Sequence, residues 1–406
     1  MKRVLGIVLV LVMISLTLFG CAAQTTTTTA ATTTAATTTG ATTTAATTAT
    51  EPTSAGLSAV DFLTVDSAGP AVIPPVKAEG VSTTDALQGI LSDDDIAMLK
   101  KGGYSIALSM HSMSMDYSRH IEAAIKAFAA EYGLKYLVTT DGQNDLTKQA
   151  SDLESIITAG PDIIICQAID PDGLNGIIQQ ALDAGIIMSF IDIAPSAVKF
   201  GEGNTAGFVT SDHYSQSNAS MKLLLEKMPD DADIALIYWS YDVGAMIDRH
   251  QGVVDAIAEH PNMTYEIYRT QDEDEASVVM ESVLAAKPEL DGVWVDWDAA
   301  CYSAATVAKN QGSKALFCTV GLDNSCAFNI ASGGNIVTTT GLLPYEYGLT
   351  ACYQSALKLL GHDTKAVSYV ACPGVSVTKD NLEEAWGYVS RENPVLPDDI
   401  KAALGK

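Results

Sequence analysis

After residue 104 the chain alternates short apolar runs with segments of helical period. The runs Ser105 to Ser109, Tyr136 to Thr140, Asp162 to Ala168 and Ile186 to Asp192 are predicted strands, and between the first two, Ile121, Ala124, Ile125, Phe128 and Ala129 fall on one helical face. A second series follows, with strands at Asp233 to Trp239, Tyr265 to Thr270, Gly292 to Trp297 and Leu316 to Asp323 and helices ending near His260, Lys287 and Gly312. The runs are apolar throughout and do not alternate, which predicts parallel sheets covered by helices on both faces. The fold class is therefore α/β, with one architecture occurring twice.

A strand at Asn335 to Thr340, a helix from Tyr345 to Leu360 stopped by Gly361, a strand at Ala366 to Ala371 and a helix at Asn381 to Trp386 come after two complete series. The chain is thus expected to cross back between two lobes: residues 104–211 with about 343–371, and 212–342 with about 372–406. One hydrophobic core seldom grows beyond roughly 250–300 residues, which also favours two. In open parallel sheets ligands bind beyond the carboxyl ends of strands. That rule nominates His111 and Asp116 after the first strand, Asp192 after the fourth, and Trp239, Trp297 and Asp323 at later strand ends. Trp294, inside its strand, is expected in the core.

The start of the chain has a different character. Lys2 and Arg3 precede an apolar run from Val4 to Phe19, too short for a comfortable membrane span, which reads as an export signal over residues 1–20. Leu18-Phe19-Gly20-Cys21 resembles the lipobox of bacterial lipoproteins, and that resemblance makes Cys21 the expected lipid-bearing residue. Residues 21–53 are almost entirely Thr and Ala, too poor in large apolar side chains to offset the entropy of ordering, and are expected to act as a tether. Residues 54–103 form an expected extension packed on the domain, with a helix capped by Ser92, acidic at Asp93 to Asp95 and ended by Gly102.

With 49 acidic against 23 basic residues the net charge is −26, which opposes nucleic-acid binding. Six cysteines follow Cys21 with no C-x-x-C pair, the six histidines are scattered, and no nucleophile-elbow, phosphate-loop or zinc-protease pattern occurs. No catalysis, cofactor or metal is expected. The acidic run Asp272 to Glu275 sits at a helix start, where carboxylates favour the helix dipole without any ligand.

Ordered landmarks run from Tyr104 to Trp386. They are Ile106-Ala107-Leu108 with Tyr117, Pro161-Asp162-Ile163-Ile164-Ile165, Asp170-Pro171, Ala184-Gly185-Ile186 leading to Asp192, Arg249-x-x-Gly252-Val253-x-x-Ala256, Pro288 with Gly292-Val293-Trp294, Gly321-Leu322-Asp323, and Leu343-Pro344 with Gly348. This set resembles the type I periplasmic binding proteins of the ribose-binding kind. The resemblance implies two Rossmann-like lobes joined by crossover strands and a monomer closing on a small carbohydrate-like ligand. It also implies an ABC transporter permease as partner and an extracytoplasmic location with the membrane reached only through the lipid anchor. Presentation of the ligand to a membrane sensor is the alternative.

By the same resemblance Asp192, Arg249 and Asp323 fall where carboxylates and an arginine clamp ring hydroxyls, and Tyr117 falls at a stacking position. Arg249 is expected to serve the ligand and leave folding untouched, a surface pairing with Asp248 or Asp242 being the alternative. The sequence departs from the pattern at Ile193, Trp297 and Leu342, where an arginine, an asparagine and a glutamine are usual, and at Gln271, where a phenylalanine is. The pocket is therefore expected to be more aromatic and less polar than that of a ribose binder.

Overall fold

The computed structural model describes residues 72–73 and 82–406; the signal segment, Cys21, the tether and much of the extension lie outside them. The strands in chain order are β1 (Val72–Ile73), β2 (Ser82–Thr83), β3 (Ser105–Met110), β4 (Lys135–Asp141), β5 (Ile163–Cys166), β6 (Ile187–Ile191) and β7 (Thr205–Ser211), then β8 (Asp233–Trp239), β9 (Thr264–Thr270), β10 (Gly292–Val295), β11 (Leu316–Val320), β12 (Ile336–Gly341), β13 (Tyr369–Cys372) and β14 (Gly374–Val377). The helices are α1 (Asp93–Gly102), α2 (Asp116–Tyr132), α3 (Leu146–Ala159), α4 (Asn175–Asp183), α5 (His213–Leu225) and α6 (Gly244–Ala258), then α7 (Glu273–Ala286), α8 (Asp298–Asn310), α9 (Asn324–Ala331), α10 (Pro344–Leu359), α11 (Leu382–Val389) and α12 (Asp398–Leu404).

They form two sheets. The first, ordered β2-β13-β7-β6-β5-β3-β4, is parallel throughout; the second, ordered β1-β14-β12-β11-β10-β8-β9, is parallel except where β14 lies antiparallel to β1 and β12. Helices bury both faces of each sheet, so all of β5 and β10 is inaccessible to solvent, as the unbroken apolar runs require. Ile106, Phe128, Ile165 and Tyr353 belong to one core, and Val293, Phe317, Leu382 and Trp386 to another. Trp294 is fully buried.

The chain passes between the sheets after β7, where Asp212 caps α5 by accepting from the Ser215 amide. It returns after β12 into α10, which packs on α2, and leaves again between β13 and β14 across Pro373 alone. One strand was not foreseen and two expectations need correction. Thr205–Ser211 is a fully buried strand although its sequence carries no apolar run. Residues 365–367 form a 3-10 turn, so the last strand of the first sheet starts at Tyr369. The described part of the extension is integral to the lobes: β1 and β2 pair into different sheets, and Leu87, Leu91 and Leu99 lie in the first core.

Candidate functional site

Because both parallel sheets end at the same place, their strand-end residues face one another across a cleft enclosing about 1100 Å³ with its mouth included. His111, Asp116, Tyr117 and Asp192 stand on the wall of the first lobe; Trp239, Arg249, Gln271, Trp297 and Leu342 stand on that of the second. Asp323 does not. It caps α9, accepting from the Cys326 amide at 2.6 Å, and lines a neighbouring cavity, while Asp298 lines both that cavity and the cleft.

The centre of the cleft is a chain of polar side chains. Asp192 holds a left-handed backbone (φ 50°), and its carboxylate accepts from the Tyr117 hydroxyl and, at 2.8 Å, from the Thr210 hydroxyl. His213, the first residue of α5, places Nε2 3.4 Å from Asp192 Oδ1 and Nδ1 3.0 Å from Arg249 Nη2. A guanidinium has no acceptor, so Nδ1 accepts and the imidazole proton is assigned to Nε2, beside the carboxylate. Burial alone would raise the Asp192 pKa, but His213, Tyr117 and Thr210 outweigh it and hold the carboxyl below its ordinary value.

Arg249 is 4% exposed, and its other nitrogen Nη1 donates to the Asp296 carbonyl, so it is no surface charge; Asp242 pairs with Arg269 at 2.8 Å instead. Arg249 Nε has no partner, nor has the buried His111 Nδ1. Burial lowers the His111 pKa to about 4, which keeps that ring neutral. Tyr117 sits edge-on to the buried Tyr347 at 5.9 Å, so one end of it belongs to the first core.

On the second lobe the buried Asp296 ties the strand ends together, accepting from the Trp239 amide at 2.7 Å and the Trp294 indole at 2.9 Å, with His250 Nε2 2.7 Å away. Trp239 and Trp297 stand edge to face at 6.5 Å, and the Trp297 indole donates to Glu273 at 3.2 Å. Burial pushes the Asp298 carboxyl well up, with the charge of Asp323 adding to the rise, and burial also raises Asp323.

Three contacts join the lobes around this site. Asp116 accepts from Asn324 Nδ2 at 3.0 Å; Glu346 accepts from Arg391 at 2.7 Å; His120 Nδ1 meets Glu392. Burial opposes ionisation of Asp116, but Arg119 and Asn324 prevail and keep it below the usual carboxylate value. Sequence reasoning missed His120, His213, Glu273 and Asp298. The histidines are far apart in the chain and converge only because the strand ends do.

A model described as "Periplasmic binding protein domain" matches residues 106–363. The chain belongs to the periplasmic binding protein family. Family members work outside the cytoplasm as binding proteins. Among its relatives, the xylitol-binding protein of Mycolicibacterium smegmatis is 24% identical over 271 residues, covering 65% of this chain and 74% of that one. The ribose import binding protein of Bacillus subtilis is 21% identical over 225 residues, 55% and 71% of the two chains. An ABC transporter solute-binding protein of Mycobacterium smegmatis, solved with bound glycerol, superposes with a TM-score of 0.62 at 24% identity over 69% of this chain and 96% of its own. Among the described residues no helix is long and apolar enough to cross a membrane.

Proposed function

We propose that this periplasmic binding protein captures a small polyhydroxylated molecule, a sugar or polyol, between its lobes and delivers it to the permease of an ABC importer. The observation that carries the reading is the Tyr117–Asp192–His213–Arg249 chain lying at the carboxyl ends of both sheets, where carboxylate acceptors and guanidinium donors suit vicinal hydroxyls. The relatives named for ribose import and for xylitol support it. Trp297 and Leu342 then leave one side of the ligand without an amide partner, which favours a ligand with an apolar or deoxy face on that side. The protein works as a monomer held at the membrane by lipid on Cys21, with residues 21–53 as the tether.

Thermal unfolding in the presence of ribose, xylitol and a panel of other sugars and polyols tests the reading. A ligand at 100 times its Kd adds about 2.7 kcal/mol of stability, several degrees in midpoint for a domain of this size. If no sugar or polyol at millimolar concentration moves the midpoint, the reading fails.

A further inference from the structure

Acidic side chains outnumber basic ones along the cleft. Asp116, Asp192, Asp272, Glu273 and Asp298 line it, against Arg249 as its one permanent cation, and Arg249 is already turned to His213 and Asp296. Three of the carboxylates are accounted for. Asp116 pairs with Arg119, Asp192 is held by Tyr117, Thr210 and His213, and Asp272 caps α7 through the Glu275 amide. Glu273 and Asp298 differ: among the described residues neither has an ion pair, Glu273 accepting from the Trp297 indole and Asp298 from the amides of Ala299 and Asp323.

These two lie on the wall that also carries the Trp239 and Trp297 rings. Aromatic faces attract cations, and a carboxylate beside them adds a charge-assisted acceptor. An independent sign that the cleft takes an occupant is the buried, unpartnered Arg249 Nε on the same wall. The faces of Trp239 and Trp297 suit an organic cation.

We infer that the ligand carries a protonated amine, seated against Trp239 and Trp297 and paired with Glu273 and Asp298, which makes it an amino sugar or amino polyol. This inference rests on the reading of the cleft as a sugar or polyol site. An ammonium supplies three donors and one positive charge, which meets the charge of Glu273 while the Asp298 carboxyl, held protonated by burial, accepts through its carbonyl oxygen, and the hydroxyls remain to the Asp192 side. The same group satisfies the wall where Trp297 and Leu342 offer no amide.

Calorimetry on the full chain with matched pairs tests it: D-glucosamine against D-glucose, D-galactosamine against D-galactose, and 1-amino-1-deoxy-sorbitol against sorbitol. The expected result is that in at least one pair the amine binds tenfold or more tightly at pH 7, equivalent to about 1.4 kcal/mol. The preference should vanish above the pKa of the amine and shrink in Glu273→Gln, whose side chain is partly exposed on the first turn of α7. Asp298→Asn provides a second variant. If the hydroxyl member binds as well or better in every pair, the amine inference is overturned and the sugar reading stands. An amine preference unchanged in both variants also overturns it. If none of these compounds nor any neutral sugar or polyol binds, both readings fall.

Discussion

Replacing Arg249 by Met keeps most of the aliphatic stem and removes the guanidinium. In the native cleft that group donates to the Asp296 carbonyl and to His213 Nδ1, and both acceptors are buried. Each loses a charge-assisted partner, and leaving a buried acceptor unsatisfied costs about 1–3 kcal/mol, so the fold should lose roughly 2–5 kcal/mol. The histidine is also released from its tautomer, since nothing then obliges Nδ1 to accept; a proton on Nδ1 would take the N–H away from Asp192. The expectation that this arginine serves only the ligand is thereby revised: it serves the hinge as well. Urea denaturation should show a lower midpoint at unchanged slope, and titration of the folded variant with the ligand found by thermal screening should show affinity weakened on the order of 100-fold. A midpoint equal to that of the unaltered protein would refute the reasoning about buried acceptors, and an equal affinity would remove Arg249 from the site.

The remaining predictions concern the pocket, the hinge and the anchor. Trp297→Asn with Leu342→Gln should weaken binding of the natural ligand while improving affinity for ribose, read by calorimetry; tight ribose binding before the change would contradict this. Glu346, pushed up to about 7 by burial that Arg391 only partly offsets, stays protonated in the native state at pH values where the unfolded chain, near 4.5, has released its proton. Its contribution is therefore present below pH 4.5 and lost as pH rises to about 7, at most roughly 3 kcal/mol from a gap of about 2.5 pH. Glu346→Gln should remove that loss, and unfolding curves that run parallel for the two proteins from pH 4.5 to 7 would rule it out. Cys21→Ser should move the protein from the membrane to the soluble fraction, and retention in the membrane through an uncleaved N-terminus would argue against lipid.

The alternation of strands and helices was legible because burial on both faces demands unbroken apolar runs. β7 escaped for a complementary reason. Thr205, Thr210 and Ser211 are buried there, the Thr210 hydroxyl donating to Asp192 and that of Ser211 to Gln216, so the strand builds part of the site and forgoes an apolar sequence. Strand-end position was enough to nominate Asp192, Trp239 and Trp297. It could not separate Asp323 from Asp298, since a carboxylate after a strand serves equally to cap the next helix, and the Cys326 amide claimed Asp323. His213 and Glu273 open helices, and nothing local in the sequence tells that these two helix starts line one cleft.

β1 belongs to one sheet and β2 to the other, so the chain joining them adds a fourth connection to the three made after β7, β12 and β13. Each sheet then ends on that side in a strand of two residues, and an edge so short offers little template for pairing with another chain.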